Sequence, residues 1–139
     1  MSASAPADEA HPVFVSPPLP ELLATLTDAS RPVAARLRAV FYLRTLGGPT
    51  AVAALCAALR DARGTVLFRH EVAYVLGQMQ AADAVGDLLA VLRDTADEPI
   101  VRHEVRHCAR GSHGARVAAG VRATDRGPSP ARPLPRSGR

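Results

Sequence analysis

Two adjacent stretches decide the fold: AVAALCAALRDARGTVLFRHEVAYVLGQMQ (51–80) and AVGDLLAVLRDTADEPIVRHE (84–104). Each opens with apolar residues at three- and four-residue spacing, which predicts an amphipathic helix. A polar segment beginning at Asp61 or Asp94 then predicts a turn, and a second helix starts near an Arg-His-Glu tripeptide. The apolar positions and the tripeptides all coincide when Asp61 is aligned with Asp94. The sequence therefore indicates a tandem repeat of helical pairs.

A period in the low thirties made of two helices is typical of an α-solenoid. An earlier copy of the pattern precedes position 51, and there we align Arg38 with His70, which makes that repeat one position shorter than the next. Each helical hairpin has an apolar face that it cannot bury alone, so stacked neighbours form the core. We predict an all-α solenoid of about two and a half hairpins over residues 20–108.

The positive charge of this protein is concentrated at one end. Residues 1–104 hold nine Arg and twelve Asp or Glu, a net charge of −3, whereas residues 105–139 hold eight Arg and only Asp125, a net charge of +7. The repeat region is thus mildly acidic, and the basic segment has no Phe, Trp or Tyr that could stack on a base. We therefore expect no nucleic-acid partner.

The two ends differ in composition from the repeats. We predict a disordered leader at residues 1–19 and a disordered Arg/Pro/Gly-rich tail at residues 109–139. Neither a secretory signal nor an apolar run long enough for a bilayer is evident. Cys56 and Cys108 are too few and too distant for a disulfide framework, and Cys56 is predicted to be a small core residue. A cytoplasmic protein without a membrane partner is expected.

The repeated pairs His70-Glu71 and His103-Glu104 are the candidate functional residues. They could be ordinary surface residues, but a structural repeat preserves packing positions rather than an imidazole beside a carboxylate. Neighbouring helix axes lie about 8–10 Å apart, so His70 and His103 are expected to reach toward a common point. Imidazole and carboxylate ligands suit non-haem iron, and zinc is also possible on ligand type. We predict a metal site formed by these four residues.

The segment from Arg36 to Glu104 resembles deoxyhypusine hydroxylase, a HEAT-repeat enzyme. The phrases that carry the resemblance are RLRAVFYLRTLGGPTAV (36–52), FRHEVAYVLGQMQ (68–80) and LRDTADEPIVRHE (92–104). The resemblance implies HEAT-like hairpins and an oxygen-dependent di-iron monooxygenase. Its protein substrate would be the hypusine-containing translation initiation factor in its deoxyhypusine form, and molecular oxygen would be the second substrate.

The same resemblance implies residue roles. His70, Glu71, His103 and Glu104 correspond to the iron ligands of the family, and the carboxylates of Glu71 and Glu104 are the candidate catalytic groups. These carboxylates would also suit the cationic amine of the substrate. In that family the two irons lie between two similar halves, and each half contributes two His-Glu pairs.

After Glu104 the resemblance stops, and glycines and prolines interrupt the pattern that follows. We expect no complete helix there, and we interpret this stretch as GC-rich coding sequence read in another frame or through an intron. Four ligand side chains are too few to give two irons about three ligands each. We therefore expect the chain alone to bind iron weakly and to hydroxylate nothing.

Two other interpretations remain open. His103-Glu104-Val105-Arg106-His107 fits the H-E-x-x-H motif of zinc proteases, with His113 at the third-ligand spacing, although Arg110 replaces the glycine that the turn requires. The stronger alternative is a non-catalytic HEAT-repeat module that binds a protein partner. Stoichiometric metal, and its loss in His70→Ala, would separate the enzyme from the module.

Overall fold

The computed structural model describes residues 15–110 and, apart from these, Ala119. The predicted leader and tail lie largely outside the described residues, and His113 of the protease motif lies wholly outside them. Within residues 15–110 the chain is helical, without a strand, so the all-α prediction is confirmed. The helices are α1 (Leu19–Thr27), α2 (Val33–Leu46), α3 (Gly48–Arg60), α4 (Val66–Met79), α5 (Val85–Arg93) and α6 (Pro99–Arg110), with a 3-10 turn (Ala82–Ala84) before α5.

The helices form three hairpins, α1–α2, α3–α4 and α5–α6, which stack side by side. The even-numbered helices pack against one another in one layer, and the odd-numbered helices form the second layer. One arginine closes each hairpin, because its Nε donates a hydrogen bond to a leucine carbonyl ten residues earlier. These pairs are Arg36 to Leu26 at 3.0 Å, Arg69 to Leu59 at 2.8 Å and Arg102 to Leu92 at 3.4 Å. The solenoid predicted from the repeat is thus confirmed.

The turn inside each hairpin is built in the same way. An aspartate ends the first helix, and its Oδ1 accepts a hydrogen bond from the backbone N–H two residues further on. The aspartates are Asp28, Asp61 and Asp94, with N···O distances of 2.9, 3.0 and 2.9 Å. This Asx turn gives the chain a compact reversal before the next helix starts.

The closing hydrogen bonds make Arg36, Arg69 and Arg102 equivalent, so the repeat has the same length throughout. The alignment of Arg38 with His70 is therefore wrong by one position. With the correct register, Leu37 and Arg38 occupy the positions of His70 and Glu71. The first hairpin thus carries neither an imidazole nor a carboxylate at the candidate site.

The core lies between the two layers and contains mainly Leu, Val and Ala side chains, with Phe68 as its largest buried residue. Cys56 is buried in it, as predicted. No helix in residues 15–110 combines the length and the hydropathy that crossing a bilayer requires.

Helix α6 continues six residues past Glu104, to Arg110, although the sequence after Glu104 was expected to give no complete helix. Val101 and Val105 are fully buried against the core, and Cys108 is partly buried one turn later. These three residues are spaced so that they lie on the same face of α6, which packs against the core, and the residues between them are mostly polar.

The closing arginines of the first two hairpins also contact the following hairpin. Both terminal nitrogens of Arg69 donate to the Asp97 carboxylate at 2.6 Å. The equivalent of Asp97 one repeat earlier is Gly64, and Arg36 stacks on the Phe68 ring instead, 4.0 Å from its centroid. Two different interactions thus join successive hairpins at one equivalent position.

Candidate metal centre

The start of α4, the second helix of its hairpin, places the first His-Glu pair. The Thr65 hydroxyl oxygen caps the helix by accepting a hydrogen bond from the Phe68 backbone N–H at 3.2 Å. Arg69, in the first turn of α4, donates its Nε hydrogen bond to the Leu59 carbonyl and so holds this turn in place. His70 and Glu71 follow directly, and both side chains are about one quarter exposed at the surface between α4 and α6.

His70 contacts a glutamate of the next hairpin rather than only its sequence neighbour. Its Nε2 lies 3.1 Å from Oε2 of Glu104, whose side chain is 10% exposed. Its Nδ1 is buried and makes no hydrogen bond. Oε1 of Glu71 lies 3.5 Å from that nitrogen, within ion-pair range but not aligned as a hydrogen bond. The pair in direct contact, His70 with Glu104, therefore joins two repeats.

Cys108 orients the Glu104 carboxylate from the opposite side. Its Sγ lies 3.3 Å from Oε1 of Glu104, one helical turn earlier on α6, and 3.8 Å from the Ala73 carbonyl oxygen. Burial, together with the hydrogen bond to Glu104, raises the pKa of the Cys108 thiol to about 12. The sulfur therefore keeps its proton near neutral pH and donates it to Glu104, which leaves Oε2 directed at His70.

A glycine makes room for this cysteine. A Cβ added at Gly77 of α4 would overlap the Cys108 sulfur and lie 2.6 Å from its Cβ. The backbones of α4 and α6 thus approach closely beside the His70–Glu104 pair. Sequence analysis missed Cys108 as part of the site; its position four residues after Glu104 on the same helix was the available signal.

The structure does not bring all four predicted ligands together. The His103 side chain is exposed and makes no hydrogen bond or ion pair with residues 15–110. His70 is covered by the hairpin after it, whereas His103 belongs to the last hairpin that the structure describes. His107 is also exposed, with its Nδ1 4.0 Å from Oε1 of Glu104.

The pair fits two ligand positions of a transition-metal ion. Two ligands bound about 2.1 Å from one ion at a right angle lie about 3 Å apart, which matches the 3.1 Å between His70 Nε2 and Glu104 Oε2. Across residues 15–110, however, no three His, Cys, Asp or Glu side chains are arranged to hold a metal. Two potential ligands, His70 and Glu104, thus lie at metal-ligand spacing, but the described residues show no complete metal site.

Comparison with known proteins agrees with this fold. A family model for HEAT repeats matches residues 19–110. No curated protein sequence matches the chain. The solved structure of human deoxyhypusine hydroxylase in complex with glycerol is 34% identical, with a TM-score of 0.60 over 83% of this chain and 48% of the human protein. This chain thus spans about half the length of that neighbour. It belongs to the HEAT-repeat family, and its repeats are of the deoxyhypusine hydroxylase type.

Proposed function

We propose that this chain contributes half of the metal centre of a deoxyhypusine hydroxylase-type monooxygenase, with His70, Glu71, His103 and Glu104 as metal ligands. The observation that carries the proposal is the contact of His70 Nε2 with Glu104 Oε2 at 3.1 Å. It joins the two repeated pairs across neighbouring hairpins, in a chain 34% identical to human deoxyhypusine hydroxylase.

Iron, when bound, supplies the activation of molecular oxygen in this proposal. His70 and Glu104 would hold the iron, and the Cys108 thiol fixes the direction of the Glu104 carboxylate. Glu71 lies next to the pair with a partly exposed carboxylate. That carboxylate is available either to the metal or to the cationic amine of a substrate side chain, so Glu71 and Glu104 are the proposed catalytic groups.

The proposed substrate is the deoxyhypusine side chain of the hypusine-containing translation initiation factor, and molecular oxygen is the co-substrate. A long cationic side chain fits the partly exposed carboxylate of Glu71, which lies beside the buried Glu104, and the negative net charge of residues 1–104 favours such a ligand. The proposal includes no nucleic acid and no membrane, and it places the protein in the cytoplasm.

The four proposed ligands are too few for a complete metal centre. Four side chains give two irons two protein ligands each, fewer than the three or so that a working site uses. The complementary half of the centre must therefore come from other residues, and we expect residues 1–139 by themselves to produce no hydroxylated product.

A hydroxylation assay tests this function. The full chain is incubated with Fe(II), oxygen and the deoxyhypusine-bearing factor, alone and mixed with a separately expressed carboxy-terminal half of human deoxyhypusine hydroxylase. Mass spectrometry of the factor is expected to show an added oxygen atom in the mixture only, and none when the chain carries Glu104→Gln.

The alternative outcomes each have a meaning. Product formed by the chain alone overturns the half-centre. Equal product from the unaltered chain and Glu104→Gln overturns the ligand assignment. No product in a mixture whose two halves are shown to associate counts against the activity and favours a HEAT-repeat module that only binds a protein.

A further inference from the structure

The last hairpin, α5–α6, has one side on which no further hairpin packs within residues 15–110. We call this side the terminal face. It corresponds to the side of α3–α4 on which α5–α6 packs, because the two hairpins coincide when Asp61 is aligned with Asp94. The contacts between α3–α4 and α5–α6 therefore indicate which groups the terminal face offers to a further hairpin.

Two arginines of α3–α4 hold the following hairpin through carboxylates. Arg60, at the end of α3, forms an ion pair with Asp87 in the first turn of α5. Arg69 binds Asp97 through both terminal nitrogens, and these side chains are 7% and 11% exposed. The two aspartates stand ten residues apart, one on the first helix of the hairpin and one in its turn.

Arginines recur at both of these positions on the terminal face, as Arg93 and Arg102. Arg93 is exposed at the end of α5, and Arg102 is partly exposed in the first turn of α6. Neither forms an ion pair with residues 15–110, and the Arg102 Nε donates only to the Leu92 carbonyl at 3.4 Å. Both guanidinium groups therefore have terminal nitrogens available for a carboxylate.

Apolar side chains accompany the two arginines. Leu89 and Leu92 of α5 pack against the core but are only partly buried, whereas the equivalent Cys56 and Leu59 of α3 are 3% and 0% exposed. A terminal repeat that acts as a cap presents a polar outer side. The terminal face is instead partly apolar and cationic at two points, which is typical of an interface.

The rest of this chain does not supply the matching pair of carboxylates. Residues 111–139 hold six Arg and only one acidic side chain, Asp125, so their charge does not complement the terminal face. The first hairpin of a second copy has Glu21 at the first of the two aspartate positions but Arg31 at the second. Arg31 would then oppose Arg102, and like charges so placed weaken association.

We propose that the terminal face binds a helical hairpin of another protein that carries two carboxylates ten residues apart, one early on its first helix and one in its turn. The first carboxylate binds Arg93 and the second binds Arg102. The Arg102 contact contributes more, because the equivalent Arg69–Asp97 pair is buried whereas Arg60 is 57% exposed. This inference involves no metal and stands apart from the proposed function.

A complementary copy of this chain provides the probe. Arg31→Asp completes the carboxylate pair that Glu21 begins on the first hairpin, and Arg102→Glu in the same probe chain blocks its own terminal face. The probe carries a fluorophore at its carboxy terminus and is titrated with the metal-free, unaltered full chain. Fluorescence anisotropy gives the affinity, and sedimentation velocity gives the mass. We expect a one-to-one complex in the mixture and monomers of each chain alone.

A matched probe tests the role of the second carboxylate. It carries Arg102→Glu but keeps Arg31, and it should bind the unaltered chain at least about tenfold more weakly, the scale of one charge-assisted contact.

Charge reversal on the unaltered chain then locates the contact. Arg102→Glu should weaken the complex with the first probe at least about tenfold, and Arg93→Glu should weaken it less. The matched control is Arg38→Glu, an exposed arginine on α2 at the other end of the solenoid, which should bind like the unaltered chain. Far-UV circular dichroism confirms that each variant retains its helices. Arg93→Glu changes an exposed side chain outside the core, so it reports on the contact even if Arg102→Glu unfolds.

Three results overturn the proposal. The first is equal affinity for the two probes, or no complex with either. The second is self-association of the unaltered chain that Arg102→Glu abolishes, which would identify a second copy as the occupant. The third is a complex that forms only after residues 111–139 are deleted, which would identify the tail of this chain as the occupant.

Discussion

Replacing Arg69 by Ala should cost this protein more stability than the same change at either equivalent arginine. The Arg69 side chain is 7% exposed and its partner Asp97 is 11% exposed, and three hydrogen bonds of 2.6–2.8 Å hold the guanidinium. Removing one member of a buried ion pair costs about 3–5 kcal/mol, which includes the penalty of an unpaired charge. We expect a loss of about 4 kcal/mol, a large part of the roughly 5–15 kcal/mol that is usual for a domain.

The stability costs of replacing the two equivalent arginines, Arg36 and Arg102, serve as the comparison. Arg36→Ala leaves the Leu26 carbonyl without its partner and removes the stacking on Phe68, but it leaves no buried charge. An unsatisfied carbonyl costs about 1–3 kcal/mol and a cation–π contact about 1 kcal/mol, so about 2–3 kcal/mol is expected. Arg102 is partly exposed and its hydrogen bond measures 3.4 Å, so Arg102→Ala should cost about 1 kcal/mol or less.

Urea unfolding of the full chain at pH 7, followed by far-UV circular dichroism, measures this series. The order of cost should be Arg69, then Arg36, then Arg102, with similar denaturant slopes. Replacing both members of the buried pair, by Arg69→Met with Asp97→Leu, should recover part of the loss because no unpaired charge remains. Equal costs at the three positions, or the largest cost at Arg102, would refute the reasoning from burial and partners.

Three further predictions concern single groups. The hydrogen bond from Arg69 lowers the pKa of Asp97, so its stabilisation is complete above the unfolded pKa near 3.9 and is lost as pH falls through the lower folded pKa. The stability difference between the unaltered chain and Asp97→Asn should therefore shrink below about pH 4 in urea titrations, and a constant difference would contradict this. Gly77→Ala should cost about 1–3 kcal/mol despite the better helix propensity of alanine, and Cys108→Ala should not relieve it because the two Cβ atoms would still lie 2.6 Å apart. Burial raises the pKa of both thiols, Cys56 and Cys108, to about 12, so iodoacetamide should modify them slowly at neutral pH and quickly in urea; fast labelling of the folded chain would contradict their burial.

Much of the fold could be predicted from the sequence because the same residues recur in each hairpin. The aspartate turns and the closing arginines recur at one constant interval in all three hairpins, which is why the solenoid is visible in the sequence. The alignment of Arg38 with His70 failed because it relied on similar residue types near the start of a helix. The bond from Arg36 to the Leu26 carbonyl fixes the register, and the constant spacing of the turn aspartates gives the same register in the sequence.

The sequence pointed to His70 and Glu104 as candidates, but it did not predict that these two side chains contact each other. Neighbouring positions on a helix point about 100° apart, so a His-Glu dipeptide cannot by itself form a compact ligand pair. The partner of His70 comes instead from the next hairpin, because the stacking of the hairpins places Glu104 in contact with His70. The role of Cys108 depends on the close approach of α6 to Gly77, which only the packing of two helices reveals.

Anaerobic Fe(II) titration of the full chain, monitored by calorimetry, tests the central claim most directly. The unaltered chain should bind iron weakly, and His70→Ala and Glu104→Gln should each abolish the binding. His107→Ala, at an exposed position beside the pair, should leave it unchanged. Binding that is the same in His70→Ala as in the unaltered chain, or no binding by any form, would contradict a half metal centre built on His70 and Glu104.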